Sequence, residues 1–193
     1  TDLAEYQADF CDASKPTIGV LFYRDEWVWG DLTYQGALIN EIEEQGMNAI
    51  CVFSNGMPIE EMGMPSLTKV FDWYFCKDGV PAIDALINIM KFSLSSSGNI
   101  SIDYFKKWNV PILAGYTIMT DYDEWKESFE GMNPMEVSIA ISLPEFDGTI
   151  HGVPVAYKKV LENGDVNYLP IPERVHRMVN KARKWARLRR KTN

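Results

Sequence analysis

The amino-acid sequence predicts an α/β fold: an open, mostly parallel, doubly wound sheet followed by an amphipathic helix at the C-terminus. Three observations predict it. Short apolar, β-rich runs start near residues 17, 48, 83 and 110, with helical patterns between them, a spacing that suits right-handed crossover connections. The 193 residues are 46% hydrophobic and 24% charged, the balance of a packed domain large enough for a single core. From Glu173 onward, apolar residues recur at intervals of three and four.

Each element follows from local chemistry. Thr17-Ile18-Gly19-Val20-Leu21-Phe22-Tyr23, bounded by Pro16 and by charged residues, reads as a buried strand. Asp31 reads as the N-cap of a helix carrying Leu32, Ala37, Leu38 and Ile42, and Gly46 is placed to end it. Residues 48–53 form a second parallel strand, stopped by the turn residues Ser54-Asn55-Gly56. Residues 82–89 and 110–115 continue the series, with a helix over Ile102, Tyr104, Phe105 and Trp108 between them. This is a Rossmann/flavodoxin-like pattern, in which ligands sit outside the carboxyl ends of the strands. That rule nominates Tyr23 to Asp25, Ser54 and Asn55, Asn88 to Phe92, and Gly115 to Thr117. Residues 93–99, small and polar, read as a flexible loop, either a solvated connection or a mobile lid. The expected division is an α/β domain over 1–171 and a basic amphipathic helix over 172–193 leading to the rest of a longer parent chain.

Charge and cysteine usage narrow the function classes. The formal net charge is −8, which excludes nonspecific nucleic-acid binding by the chain as a whole. After Glu173 there are nine Lys/Arg and no acid, which leaves ten basic residues against 27 acidic ones in residues 1–173. The basic helix is expected to present a solvated face or to meet an anionic partner, the nearest being the acidic body of its own protein. Cys11, Cys51 and Cys76 show neither a disulfide framework nor a thiolate zinc pattern, so a reducing, cytoplasmic setting is expected. No apolar run reaches the roughly 20 residues of a membrane span, and the first residues lack the pattern of a leader. The chain begins at Thr1 and stops within a helical pattern, so a piece of something longer is expected.

The phosphate-cradling motifs G-x-x-x-x-G-K-[ST] and G-x-G-x-x-G are absent, and nucleotide hydrolysis by this chain is not expected. His151 and His176 lack a second ligand at helical spacing, and there is no G-x-S-x-G elbow. Two clusters remain. In Pro144-Glu145-Phe146-Asp147-Gly148 the Asp-Gly pair reads as a turn; alternatively Glu145 or Asp147 faces a cavity as a base or a transient cation ligand. In residues 22–31, Arg24 beside Trp27 and Trp29 can grip carboxylates while the rings cover a flat ligand, or the same aromatics close the core.

The sequence resembles the CobN/magnesium chelatase large-subunit family, whose large subunits bind the tetrapyrrole. The resemblance runs through Pro16 to Arg24, Trp27, Gly30, Ala37-Leu38-Ile39 and Gly46, then Asp84-Ala85-Leu86-Ile87-Asn88, Phe92 and Val110-Pro111. It continues through Glu124-Trp125, Ser128, Gly131, Pro134 and Leu143 to Gly148, and ends at Trp185 to Lys191. These segments cover almost the whole chain in the family's order. The cobalt branch resembles it more than the magnesium branch.

The resemblance implies a segment of a subunit that inserts a divalent metal, cobalt into a corrin ring before magnesium into a porphyrin. It implies that AAA+ ATPase partner subunits hydrolyse the ATP and that the segment alone holds no cofactor. The remainder of its own large subunit is the other implied partner. The alternative is a noncatalytic small-ligand-binding α/β module. Metal insertion removes two ring N–H protons and strips water from the ion, so carboxylates serve as bases and ion stations. Glu145 is the first candidate for that catalytic and metal-binding role, and Asp147 the second. Arg24 and Trp27 are candidate ring contacts, with Tyr23 and Asn88 completing the substrate-binding set. Where the family pattern follows its arginine with Ser-His, this chain has Asp25-Glu26, which makes Glu26 a candidate oxygen ligand for the metal.

Overall fold

The computed structural model describes residues 2–98 and 100–192, with all of their side chains except those of Ser97, His151 and Thr192. Helix α1 (Leu3–Phe10) precedes strand β1 (Thr17–Tyr23), helices α2 (Arg24–Trp29) and α3 (Thr33–Glu44), and strand β2 (Asn48–Ser54). A 3₁₀ turn (Glu60–Met62), helix α4 (Leu67–Tyr74) and the short strands β3 (Cys76–Lys77) and β4 (Val80–Pro81) lead to β5 (Ala85–Asn88). Helices α5 (Leu94–Gly98) and α6 (Ile102–Trp108) lead to β6 (Ile112–Ile118) and α7 (Tyr122–Glu127). Helix α8 (Pro134–Val137), a π turn (Ser138–Ser142) and α9 (Leu143–Phe146) run on into β7 (Ile150–Val160), β8 (Val166–Pro170) and α10 (Pro172–Thr192).

The main sheet has the order β2-β1-β5-β6-β7-β8, parallel except for β8, which pairs antiparallel with β7. The predicted doubly wound α/β sheet is therefore present. Because β2 and β5 flank β1 on opposite sides, the carboxyl ends of β1 and β5 form the topological switch point, where such sheets bind ligands.

Period-2 alternation along the strands divides the core. Ile18, Val20 and Phe22 of β1 pack with Tyr34, Leu38 and Ile42 of α3 and with Val175, Met178, Val179, Ala182 and Ala186 of α10. Leu21 faces the other layer, where Phe71 of α4 and Phe105 and Trp108 of α6 form an aromatic cluster. Gly19 belongs to that layer too. A Cβ there would sit 2.6 Å from Ile83 Cδ1 and 3.0 Å from Phe75 Cε1, so the close approach requires glycine.

The stripe expected after Glu173 lies on the sheet, with Ala182 and Ala186 fully buried. The basic end of α10 does meet the acidic body: Arg190 Nε donates to Asp84 Oδ2 at 2.9 Å, and Arg189 lies 3.6 Å from the same carboxylate. Three local readings change. Asp31 does not cap α3, which starts at Thr33 after Leu32; its Oδ2 accepts Tyr168 N–H at 2.9 Å, satisfying a donor of the edge strand β8. Residues 94–98 of the expected flexible loop are helix α5, because a distant carboxylate caps them, while Asn99 lies outside the described residues. Residues 24–29, read only as a cluster, form the short helix α2.

Candidate functional site

Strand β1 ends at Tyr23, and α2 begins at once, turning Glu26 back beneath the carboxyl ends of the strands. Glu26 is 7% exposed. Its Oε1 accepts the Tyr34 hydroxyl at 2.8 Å and its Oε2 accepts Gln35 Nε2 at 2.6 Å, both from the first turn of α3. Burial pushes its carboxyl above the ordinary range, against the opposing pull of Tyr34, Lys91 and Gln35. Tyr34, itself fully buried beside this carboxylate, has its hydroxyl held far above the usual phenol range.

After β5, Asn88 Oδ1 accepts Met90 N–H at 3.0 Å, and Ile89 N–H bonds Leu21 O at 2.9 Å. This double anchor sets Lys91 in the left-handed region at φ 68°, an unusual conformation for a side-chain-bearing residue. The Lys91 ammonium lies 4.5 Å from the Tyr168 ring centroid, a cation–π geometry. Burial lowers the affinity of Lys91 for its proton, while Glu26 and then Asp31 raise it. Phe92 packs edge-on against Tyr23, ring centroids 6.0 Å apart, and burial pushes the Tyr23 phenol up to about 12.

These groups line a cavity of about 650 Å³ with Asp25, Trp29, Thr117, Met119 and the 132–140 segment. Its size falls within the range of small-molecule sites, and its walls are mostly apolar with a few convergent polar groups. The far wall is built by the Asn133 capping box, in which Glu136 Oε2 accepts Asn133 N–H at 3.1 Å, and by Ile139 and Ala140 of the π turn. Such π turns recur where helices border functional sites.

The structure brings Tyr23 and Glu26 together, and it shows what the other nominated residues touch. Arg24 is half-buried and does not line the cavity. Trp27, 55% exposed, stacks on Phe53 at 5.6 Å outside it, and Trp29 takes the cavity wall instead. Asn88 is buried and spends its side-chain oxygen on the Lys91 loop. Glu145 is exposed on α9 and does not line the cavity. Asp147 is 3% exposed, and both of its oxygens cap α5: Oδ2 accepts Leu94 N–H at 2.5 Å and Oδ1 accepts Ser93 Oγ–H at 3.0 Å, with Ser95 Oγ bonded as well. The turn reading of Asp147-Gly148 also holds, with Gly148 at φ 77°.

Lys91 and Tyr168 were not singled out from the sequence. Lys91 lay inside the nominated stretch from Asn88 to Phe92, but an isolated lysine after a strand carries no motif. Among the described residues, no group of three or more His, Cys, Asp or Glu side chains is placed to hold a metal ion, and no helix is long and apolar enough to cross a membrane.

A family model described as CobN/Magnesium Chelatase matches residues 1–193. The chain is 36% identical over 192 residues to the uncharacterized protein MJ0908 of Methanocaldococcus jannaschii, covering 94% of this chain and 16% of that protein. It is 28% identical to the chloroplastic magnesium-chelatase subunit ChlH of Oryza sativa, covering 94% of this chain and 13% of that one. Among solved structures, the catalytic subunit of cobaltochelatase from Mycobacterium tuberculosis superposes with a TM-score of 0.72 at 26% identity, over 93% of this chain and 15% of that chain. The chain thus spans about one sixth or less of the length of these relatives.

Proposed function

We propose that this chain, which belongs to the CobN/magnesium chelatase family, supplies a ring-binding cleft to the large subunit of a metal chelatase. The observation that carries this reading is the cavity of about 650 Å³ at the β1/β5 switch point, walled by Tyr23, Trp29, Phe92 and methionines over the buried Glu26. Flat aromatic walls favour a planar macrocycle, and methionine adapts to its irregular edge. In this reading the substrates are a metal-free tetrapyrrole and a divalent ion, cobalt into a corrin ring before magnesium into a porphyrin. ATP hydrolysis falls to AAA+ partner subunits, and the assembly works in the cytoplasm.

Glu26 is the acid of the site. A carboxyl pushed upward by burial accepts a proton from a ring N–H more readily than an exposed one, and Tyr34 and Gln35 hold it in one orientation. As an oxygen ligand it would hold a divalent ion only transiently, as suits transfer. Asp147 acts as a positioning residue, because it fixes α5 directly after Lys91 and Phe92. Glu145 keeps a proposed acidic role at the outer surface, toward the remainder of the large subunit.

The test compares Glu26→Gln and Glu145→Gln in the complete large subunit with its partner ATPase subunits. The reading expects Glu26→Gln to lower metal insertion at least tenfold while tetrapyrrole binding changes little. Insertion by Glu26→Gln at the unaltered rate would remove Glu26 from the chemistry.

A further inference from the structure

The cavity contains an ammonium whose hydrogen-bonding capacity is unused. Lys91 carries three N–H donors, it is half-buried, and among the described residues its Nζ meets the face of Tyr168 and no hydrogen-bond acceptor. Glu26 attracts it from a distance and orients its oxygens toward Tyr34 and Gln35, and among the described residues no carboxylate oxygen lies within ion-pair range of Lys91. Of the other acidic groups of the lining, Asp25 is exposed, and Glu136 is half-buried and engaged in its capping box.

The backbone holds this ammonium in place from both sides. Asn88 and Ile89 pin the chain before Lys91, and the Asp147 cap pins Ser93 and Leu94 after it. Only Lys91 and Phe92 lie between the two anchors, and both line the cavity. A left-handed lysine is costly in backbone energy, and glycine would avoid that cost at the same position. Retaining a long cationic side chain there makes sense if the charge has a ligand to meet.

We infer that Lys91 is the specificity residue of the cavity, donating hydrogen bonds to a carboxylate on the periphery of a flat aromatic ligand whose ring lies against Tyr168 and Phe92. This deepens the cleft assignment and rests on it. An ammonium in a partly dry, aromatic setting binds an ionised acid far better than an ester, because the ester offers only a neutral acceptor.

The experiment titrates the full chain with a metal-free porphyrin dicarboxylate and, separately, with its dimethyl ester, following the porphyrin absorption band. The inference expects the acid to bind at least tenfold more tightly than the ester. Lys91→Met should lower acid binding about tenfold and leave ester binding unchanged, while Lys91→Arg keeps the preference for the acid. Lys91→Gly provides a second charge-free variant whose backbone suits the left-handed position, so it should fold at least as well as the unaltered chain and match Lys91→Met in binding. An acid preference that survives in both charge-free variants, or an equal loss of acid and ester, overturns the inference and leaves the cleft standing. Failure of the unaltered chain to bind either compound overturns the cleft and the inference together.

Discussion

The hydroxyl of Tyr34 donates to Glu26 Oε1 at 2.8 Å, and the two side chains are 0% and 7% exposed. A helix of six residues directly after the first strand therefore places a carboxyl group inside the fold, and α3 is arranged to receive it. Gln35 completes the arrangement. Its Nε2 donates to Glu26 Oε2, while its own Oε1 is buried with no hydrogen-bond partner among the described residues. Rotation of that amide would present Oε1 to a protonated Glu26, so the site can hold either form of the acid.

Glu26 makes stability depend on pH. Burial raises its folded-state value above the ordinary 4.5, so the protonated form favours the fold. That contribution is complete below about pH 4.5 and is lost as pH rises through the folded value. Glu26→Gln removes the titration and can bond Gln35 after the amide turns. Thermal melts between pH 4 and 8 should show the variant gaining on the unaltered chain as pH rises, and matching or exceeding it at pH 7. A variant that is less stable at pH 7 would mean the ionised carboxylate favours the fold. Tyr34→Phe should cost about 1–3 kcal/mol, since it leaves a buried carboxylate oxygen short of a donor.

Asp147 joins two segments more than fifty residues apart in sequence, meeting backbone and hydroxyl donors of Ser93, Leu94 and Ser95. Replacing it with alanine uncaps α5 and strands those donors, at a cost of about 2–3 kcal/mol in urea unfolding. Glu145→Ala, two residues away and exposed, should change stability by less than about 0.5 kcal/mol. Equal effects of the two substitutions would contradict the capping role.

Asp84, 7% exposed, accepts Thr17 N–H at 2.8 Å and Arg190 Nε at 2.9 Å, joining the start of β1 to the end of α10. Asp84→Ala should destabilise the chain by about 2 kcal/mol, because it leaves the buried Thr17 N–H and Arg190 Nε without their acceptor, while the Arg190 terminal nitrogens keep their bonds to the Ser14 and Lys15 carbonyls. Arg190 is more exposed, and Arg190→Ala should cost about 1 kcal/mol or less, with part of the loss vanishing in 1 M salt.

Gly19→Ala tests the close packing of the α4/α6 layer. The added carbon meets side-chain ends of Ile83, Phe75 and Leu86 at 2.6 to 3.1 Å, so overpacking of about 1–3 kcal/mol is expected. An alanine variant with unaltered melting would show that Ile83 can move aside freely.

The parallel strands and α10 were legible because their signals are local: apolar runs of strand length and a stripe repeating at three and four. The β7/β8 hairpin was missed, although Asn163-Gly164 sits at its turn and Gly164 adopts φ 87°. Strand β8 lies at the edge of the sheet with no buried residue, and β7 passes from its buried half into Lys158 and Lys159 before the turn, so hydrophobic patterning across the hairpin is weak. Helix α5 could not be read, because serine and glycine are poor helix formers and the cap that rescues them arrives from Asp147. The same limit governs the site. Sequence reasoning reached Tyr23 and Glu26 through the strand-end rule and the family resemblance, but Tyr34, Gln35, Lys91 and Tyr168 meet there only through tertiary contact.

The most direct test of the cleft is a titration of the full chain with a metal-free tetrapyrrole, following its absorption band, beside a variant in which Ala140→Trp fills the cavity from the π turn. A ring-binding cleft gives a saturable band shift with the unaltered chain and none with the filled variant, provided both melt alike. A shift of equal size and affinity in both, or none in either, would contradict it.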